Sequence, residues 1–177
     1  DKFSCKLSDK VIVVGRDMQE TLRNRFNNKK VPKNVFINNW INEKDIYPLE
    51  QNHPKIINFK EKYNLKDKFI IMYSGNIGLY YDLENIIKVI GEFKDREDVV
   101  FAFVGDGTVK DKVEAYVNEN NLNNVTFIPY QDKADLIYSL NAADIHWVVN
   151  AKGIKGVSVP SKLYGVMAAG KPVLGVL

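Results

Sequence analysis

Sulfur and imidazole are almost missing from this chain, which has one cysteine, Cys5, and two histidines, His53 and His146, in 177 residues. A single thiol excludes a disulfide framework and a thiolate metal cluster, and it fits a reducing compartment. Without His and carboxylate side chains at ligand spacing, neither a protein-held metal nor another cofactor is expected. No apolar run approaches the ~20 residues that cross a bilayer, and no secretory leader opens the sequence. The expectation is a soluble, cytoplasmic protein. A full Gly-x-Gly-x-x-Gly with an acidic partner about 20 residues further on is also lacking, which disfavours an NAD-dependent dehydrogenase. Internal repeats and low-complexity segments are absent too.

What is present is an ordinary globular composition, 45% hydrophobic, with length enough for one well-cored α/β domain. The net charge of +3 is unevenly spread, since residues 1–35 hold nine Lys or Arg against four acids. With no aromatic-interleaved RNA motif beside it, this basic end reads as a solvated face, and nucleic acid is not expected as a partner. Peripheral contact with an anionic membrane stays open.

Lys10-Val-Ile-Val-Val-Gly15 suits a strand buried on both faces of a parallel sheet. Asp17-Met-Gln-Glu20 then has capping-box spacing for a helix carrying Met18, Leu22 and Phe26. Residues 30–48 form a connection with a short strand at 35–37. From Pro54 the pattern alternates: helices over 54–64, 82–93, 108–119 and 132–142, and strands over 68–74, 99–104, 125–128 and 144–149. Asp82 and the Thr108/Asp111 pair are the expected helix caps. This alternation predicts an α/β fold, a Rossmann-like parallel sheet with helices on both faces.

In such a sheet ligands bind beyond the carboxyl ends of the strands, so the loops that matter are 75–81, 105–107, 129–131 and 150–161. Gly75 and Gly78 let the backbone of the first approach a ligand, and Gly105 and Gly107 shape a turn that is mainly architectural. Tyr130 offers a face for a base. The last loop has two glycines and no acid, and it feeds Pro160-Ser-Lys-Leu-Tyr-Gly-Val-Met-Ala-Ala-Gly-Lys-Pro172, a helix with Ser161 as N-cap and Gly170 at its end, then the strand 173–177. Loop and helix start together make a candidate anion site. His146, inside an apolar strand, reads as a core residue, and His53, before Pro54, as a surface one.

This segment resembles the donor-binding segment of the GT-B glycosyltransferases, in particular the retaining group 1 class, family four. Val104-Gly-Asp-Gly, Val125-Thr-Phe-Ile-Pro and the Gly-Asn-Ile-Gly loop at 75–78 are similar to that family, and the pattern is closest to a subgroup for bacterial surface polysaccharides. The resemblance implies one lobe of a GT-B fold, with 1–48 as the end of an N-terminal lobe plus linker and 49–177 as a nucleotide-sugar-binding C-terminal lobe truncated at its end. It implies donor contacts from Gly75, Asn76, Gly78, Gly105, Tyr130, Ser158, Val159, Pro160, Ser161, Lys162 and Gly165, with no catalytic residue in the chain.

Two departures from the family pattern stand out. Asn76 replaces an arginine that, with a following lysine, binds the donor diphosphate, which leaves Lys162 as the nearest cation. Val157 and Gly165 stand where two glutamates usually do, the second holding the ribose. The implied activity is sugar transfer from a nucleoside-diphosphate sugar, UDP- or GDP-linked, to a glycan or lipid-linked acceptor, at the inner face of the membrane or in the cytoplasm. A sugar-nucleotide epimerase and a non-catalytic nucleotide-binding module are the alternatives.

Overall fold

The computed structural model describes residues 2–176. By its internal contacts the chain divides into two compact units, one taking the chain up to Trp40 together with Lys152–Ser161, the other Ile41–Ala151 and Lys162 onward. The boundary falls at Trp40/Ile41, ahead of the expected 48/49, and Lys152–Ser161 groups with the first unit.

The larger unit is a five-stranded parallel sheet of β3 (Phe69–Ser74), β4 (Val99–Val104), β5 (Val125–Ile128), β6 (Ile145–Val149) and β7 (Val173–Val176), in the order β5-β4-β3-β6-β7. β4 is buried along its whole length, as a strand covered on both faces should be, whereas the edge strand β7 is largely exposed. Alternate residues point to opposite faces. Tyr73, Phe101, Phe103 and Trp147 pack on one face with Leu83, Ile87 and Ile90 of α4 (Leu83–Ile90) and Val113 and Val117 of α5 (Lys110–Glu119). Ile70, Met72, Val100 and Ala102 pack on the other with Ile56 and Phe59 of α3 (Pro54–Lys62) and Ala142 of α6 (Leu136–Ala142). Each buried aliphatic or aromatic side chain contributes about 1.5–3 kcal/mol. Ile137 and Leu140 of α6 also meet Val166 of α7 (Lys162–Ala168), with Ala169 just beyond it. Buried Asn141 ties residues 47–51 to α6: its Oδ1 accepts Leu49 N–H at 2.9 Å, its Nδ2 donates to Tyr47 O at 3.0 Å, and its carbonyl accepts Gln51 Nε2 at 2.8 Å.

The smaller unit holds α1 (Lys2–Leu7), β1 (Val11–Val13), α2 (Arg16–Arg25) and β2 (Asn34–Phe36), with β1 and β2 paired in parallel. Here the sequence reading needs correction. β1 is not buried on both faces: Val13 is buried but Ile12 is 63% exposed, and among the described residues the strand pairs with β2 alone. α1, which buries no residue, was not foreseen.

The expected caps are also displaced. α2 is capped by Gly15, and the Asp17 carboxylate accepts Met18 N–H and Gly156 N–H instead of closing a capping box. Asp82 does precede α4, but with φ of 49° it turns its carboxylate to Asn85 Nδ2, 2.7 Å away. α5 starts at Lys110 because Val109 N–H donates to Ile77 O, which draws the Thr108 region into a turn. α6 starts at Leu136 because Asp132 O closes a turn onto Asp135 and Leu136 first. Leu177, at the end of the expected last strand, lies outside the described residues.

His146, on β6, pairs with Met72 and Val173 and is 1% exposed. Its Nε2–H donates to Leu140 O at 2.9 Å and its Nδ1 is buried without a partner. Burial pushes its pKa down to about 4 against the restoring pull of the Leu140 carbonyl, and nearby Lys171 lowers it further. The folded chain therefore keeps His146 neutral where the unfolded chain, near 6.5, takes up a proton. This contribution is fully present above pH 6.5 and is lost as pH falls towards 4, at most about 3 kcal/mol. Urea unfolding of the wild type should lose stability over that window, and His146→Gln should flatten the loss; equal slopes in the two proteins would assign it elsewhere.

Candidate functional site

Sheet order places the candidate site. β4 and β5 lie to one side of β3, and β6 and β7 to the other, so the chain reverses its direction of travel between β3 and β6. Such a switch point leaves a crevice outside the carboxyl ends of the two strands, where ligands bind in open α/β sheets. β3 ends into the 75–78 loop. β6 ends into the segment whose Ala151 N–H donates to Tyr80 O at 2.7 Å.

The two glycine loops are stitched together by their backbones. Gly75 N–H donates to Val104 O at 2.8 Å, Ile77 N–H to Asp106 O at 2.8 Å and Gly105 N–H to Ile128 O at 2.9 Å. Gly105 has φ of +137°, and a Cβ there would overlap Gly75 O, so only glycine allows the loops this close. Tyr130 lies against Gly105, donates to Asp106 O at 3.3 Å and stays 57% exposed. Gly78 is buried and extended, and the Asn76 side chain lies beside it. Gly75 and Ile77 spend their N–H groups on the neighbouring loop, so Asn76 and Gly78 carry the unpaired donors of this loop among the described residues.

Lys162 opens α7 and brings its side chain to the end of β3. Its ammonium lies 3.8 Å from the ring centroids of both Tyr73 and Tyr81, and it donates to the Tyr73 hydroxyl. That hydroxyl donates in turn to Asn76 O at 2.6 Å. A Cβ on Gly75 would stand 3.4 Å from Lys162 Cε, so the lysine stem lies along the glycine. Among the described residues no carboxylate pairs with this ammonium. Burial pushes the Lys162 amine down to about 7, while the two ring faces favour its cationic form. Burial, with the phenols of Tyr81 and Tyr130 nearby, raises the Tyr73 phenol, which stays protonated and able to donate.

The structure thus gathers Gly75, Asn76, Gly78, Gly105, Tyr130 and Lys162 at one edge of the sheet. Gly165 is elsewhere: its Cβ direction meets Ile41 Cδ1 at 3.4 Å and Leu140 Cδ1 at 3.5 Å, so this side of the helix packs against the protein's own core. Ser158, Val159, Pro160 and Ser161 fall in the other unit, where Ser158 N–H donates to Ile154 O at 3.2 Å and Val159 lies against Gly15. Tyr73 was missed by sequence reasoning, because a tyrosine near the end of an apolar strand has the pattern of core, and Tyr81 lay inside the expected 75–81 loop without a role of its own.

An open parallel sheet with glycine loops and an unpaired ammonium at its carboxyl edge is the arrangement of a nucleotide-binding α/β lobe. The chain belongs to the family of glycosyl transferases group 1, whose profile matches residues 55–176. It is 34% identical over 175 residues to the probable glycosyltransferase WbjE of Pseudomonas aeruginosa, covering 99% of this chain and 42% of that protein. It is 38% identical over 104 residues to the putative colanic acid biosynthesis glycosyl transferase WcaI of Escherichia coli K12, covering 59% and 25%. The chain therefore spans less than half the length of these relatives. Its fold matches that of GT-B glycosyltransferases. The fold is also shared with Anabaena Alr3699/HepE, solved in complex with UDP and glucose, at a TM-score of 0.72 and 16% identity over 97% of this chain and 45% of that one.

A half-buried cation without a counter-ion destabilises the free protein, and an anionic ligand relieves the strain. Lys162→Met, which keeps the length and removes the charge, should raise the melting temperature by about 3 °C, corresponding to a solvent-discounted gain of about 1 kcal/mol. A calorimetric scan at pH 7 checks it, and a lowered melting temperature would show that the contacts to Tyr73 and Tyr81 outweigh the cost of the charge.

Proposed function

We propose that this chain is the donor-binding part of a retaining glycosyltransferase that moves a sugar from a nucleoside-diphosphate sugar to a polysaccharide or lipid-linked acceptor. The observation that carries the reading is the unpaired Lys162 ammonium between Tyr73 and Tyr81 at the end of β3. Lys162 meets the diphosphate, with the Asn76 and Gly78 N–H groups as further donors, and Tyr130 lies against the base. When the sugar–phosphate bond breaks, negative charge builds on the leaving diphosphate, and fixed donors already aimed there stabilise it without reorganising. In this reading charge neutralisation comes from the protein's own cation and backbone, with no protein-held metal.

The nucleotide and acceptor assignments draw on the relatives, one a putative colanic acid biosynthesis enzyme and one solved with UDP and glucose. Transfer takes place on the cytoplasmic side, at the inner membrane face when the acceptor is lipid-linked. No helix among the described residues is long and apolar enough to cross a membrane. Val157 and Gly165, in place of the family's carboxylates, favour a second reading, a nucleotide-binding module that transfers nothing. A sugar-nucleotide epimerase would convert the donor when given no acceptor. Incubating the full-length protein with donor, with and without acceptor, separates the three.

The proposal has a pH signature. Lys162 titrates near 7 in the free protein, and a bound diphosphate raises that value, so binding takes up a proton above pH 7. Affinity for UDP, or for GDP if that is the base, should hold steady below pH 7 and fall by up to tenfold per pH unit above it, while affinity for the nucleoside stays flat. Calorimetry in buffers of different ionisation heat reads the proton directly; equal pH dependence of nucleotide and nucleoside would reject Lys162 as the diphosphate partner.

The ribose gives a second signature. A carboxylate on both ribose hydroxyls contributes about 1.5–3 kcal/mol per charged hydrogen bond, and neither Val157 nor Gly165 supplies one. Removing the 2′-hydroxyl should then weaken binding by less than tenfold, about 1.4 kcal/mol. A larger loss would show that another side chain holds the ribose.

A further inference from the structure

The larger unit carries a second recess, at the opposite end of its sheet, formed where the chain enters β3, β4 and β5. The six residues of β4 place it about 20 Å from the carboxyl edge. Its volume is about 420 Å³, inside the ~300–1,000 Å³ of small-molecule sites and far above the ~30 Å³ of one water. Asn124, the residue before β5, lines this recess and is 6% exposed. Its carbonyl accepts Phe101 N–H at 2.8 Å. Its Nδ2 donates at 2.9 Å to Phe93 O, which also accepts Arg96 N–H at 2.9 Å. Turning the amide over would set oxygen against oxygen, so the uncommitted end of the side chain is the acceptor. That Oδ1 is buried and has no partner, and buried polar atoms in folded proteins are as a rule met by something.

The group that meets Oδ1 has to bring a hydrogen-bond donor, which a carboxylate or a diphosphate does not. Two clamps fix the rim of the recess: Asp98 takes Arg96 through both carboxylate oxygens at 2.7 and 2.6 Å, and Lys68 Nζ donates to Glu97 O. The other polar side chains of the lining are uncommitted among the described residues. Lys94 and Thr126 offer donors, Glu97 offers acceptors, and the Asn64 amide offers both. Buried Val99 and Val100 add apolar surface. Donors, acceptors and an apolar patch in one recess suit a ligand whose neighbouring positions each donate and accept, with C–H surface between them. Vicinal hydroxyls on a sugar ring have that chemistry, and the opposed charges of Lys94 and Glu97 favour a neutral one. We propose that this recess is a glycan-binding site, in which one hydroxyl of a neutral saccharide donates to Asn124 Oδ1 and its neighbours meet Lys94, Glu97 and Thr126. The site holds a saccharide unit without reacting with it. It is separate from Lys162, so it stands or falls independently of the diphosphate assignment.

The test is saturation-transfer NMR on the full-length protein with the methyl glycosides of glucose, galactose, fucose and N-acetylglucosamine, with inorganic phosphate and acetate as anionic competitors. The expected result is transfer to at least one glycoside at millimolar affinity, undiminished by saturating UDP or GDP and by either anion. Asn124→Leu, which keeps a side chain of similar size and removes the acceptor, should weaken that binding at least tenfold, and Thr126→Val about threefold. Nucleoside-diphosphate affinity should be unchanged in both, and Lys162→Met should bind the glycoside as the wild type does. If no glycoside binds, Oδ1 meets water alone and the proposal fails. It fails too if UDP or GDP displaces the glycoside, which puts the sugar in the carboxyl-edge crevice, or if an anion displaces it, which makes the recess an anion site. Wild-type glycoside affinity in both Asn124→Leu and Thr126→Val places the sugar elsewhere and overturns the assignment. Should Asn124→Leu not fold, Thr126→Val and Lys94→Ala decide by the same criterion.

Discussion

A parallel sheet must return every strand to the same end, so its connections leave a gap only where the direction of winding changes. In this protein that place is beside β3, and the neighbouring features answer to it. β4, on one side, is buried throughout and fixes the depth of the 105–107 turn. β6, on the other, pairs with β3 through only Ile71 and Met72 in strand register, so the two strands run together briefly before their loops part. The crevice follows from strand order and requires no dedicated residue.

What gives the crevice chemical character is a conflict settled locally. The sheet end is aromatic, with Tyr73 against Phe103 on one side and Tyr81 on the other, and such surroundings resist charge. Lys162 enters them regardless and survives through ring faces and one hydroxyl, a weaker compensation than a carboxylate. A carboxylate in its place would bind the lysine permanently and repel phosphate. Tyrosine stabilises the ammonium enough to hold it in position and leaves its charge available. Tyr73 serves twice, since the hydroxyl that takes the lysine proton contact also fixes Asn76 O and with it the shape of the glycine loop.

How far the sequence revealed this depended on the range of the interaction concerned. β4 and β5 match the expected strands residue for residue, and β3 and β6 to within one, because a continuous apolar run between polar turns is a local signal. Helix starts were misplaced by one to four residues wherever a side chain with capping chemistry had other partners. Asp17 is shared with Gly156, 139 residues away, and Thr108 lies in a turn set by Ile77. Lys162 could be singled out because its neighbours form a recognisable segment. Tyr73 could not, since nothing in a strand pattern tells an aromatic that faces a ligand edge from one that fills a core, and Tyr81 was legible only as part of the 75–81 loop. Gly165 shows the same limit: whether the missing side chain makes room for a ligand or for Leu140 is decided by α6, not by the α7 sequence.

The strand register also carries a kinetic consequence. Phe69 pairs with Val99, Phe101 with Val125 and His146 with Val173, so these ladders close loops of about 25–30 residues, whereas Ile71 meets Ile145 across more than 70. Loop closure becomes costlier with length and non-local pairings form slowly, so β3-β4-β5 and β6-β7 can each assemble as a local module before the two meet. The seam between the modules is the β3–β6 line. The crevice, with Lys162 beside Tyr73, is therefore among the last parts of the sheet to form as the chain folds, and it is shaped by a junction only two paired residues deep.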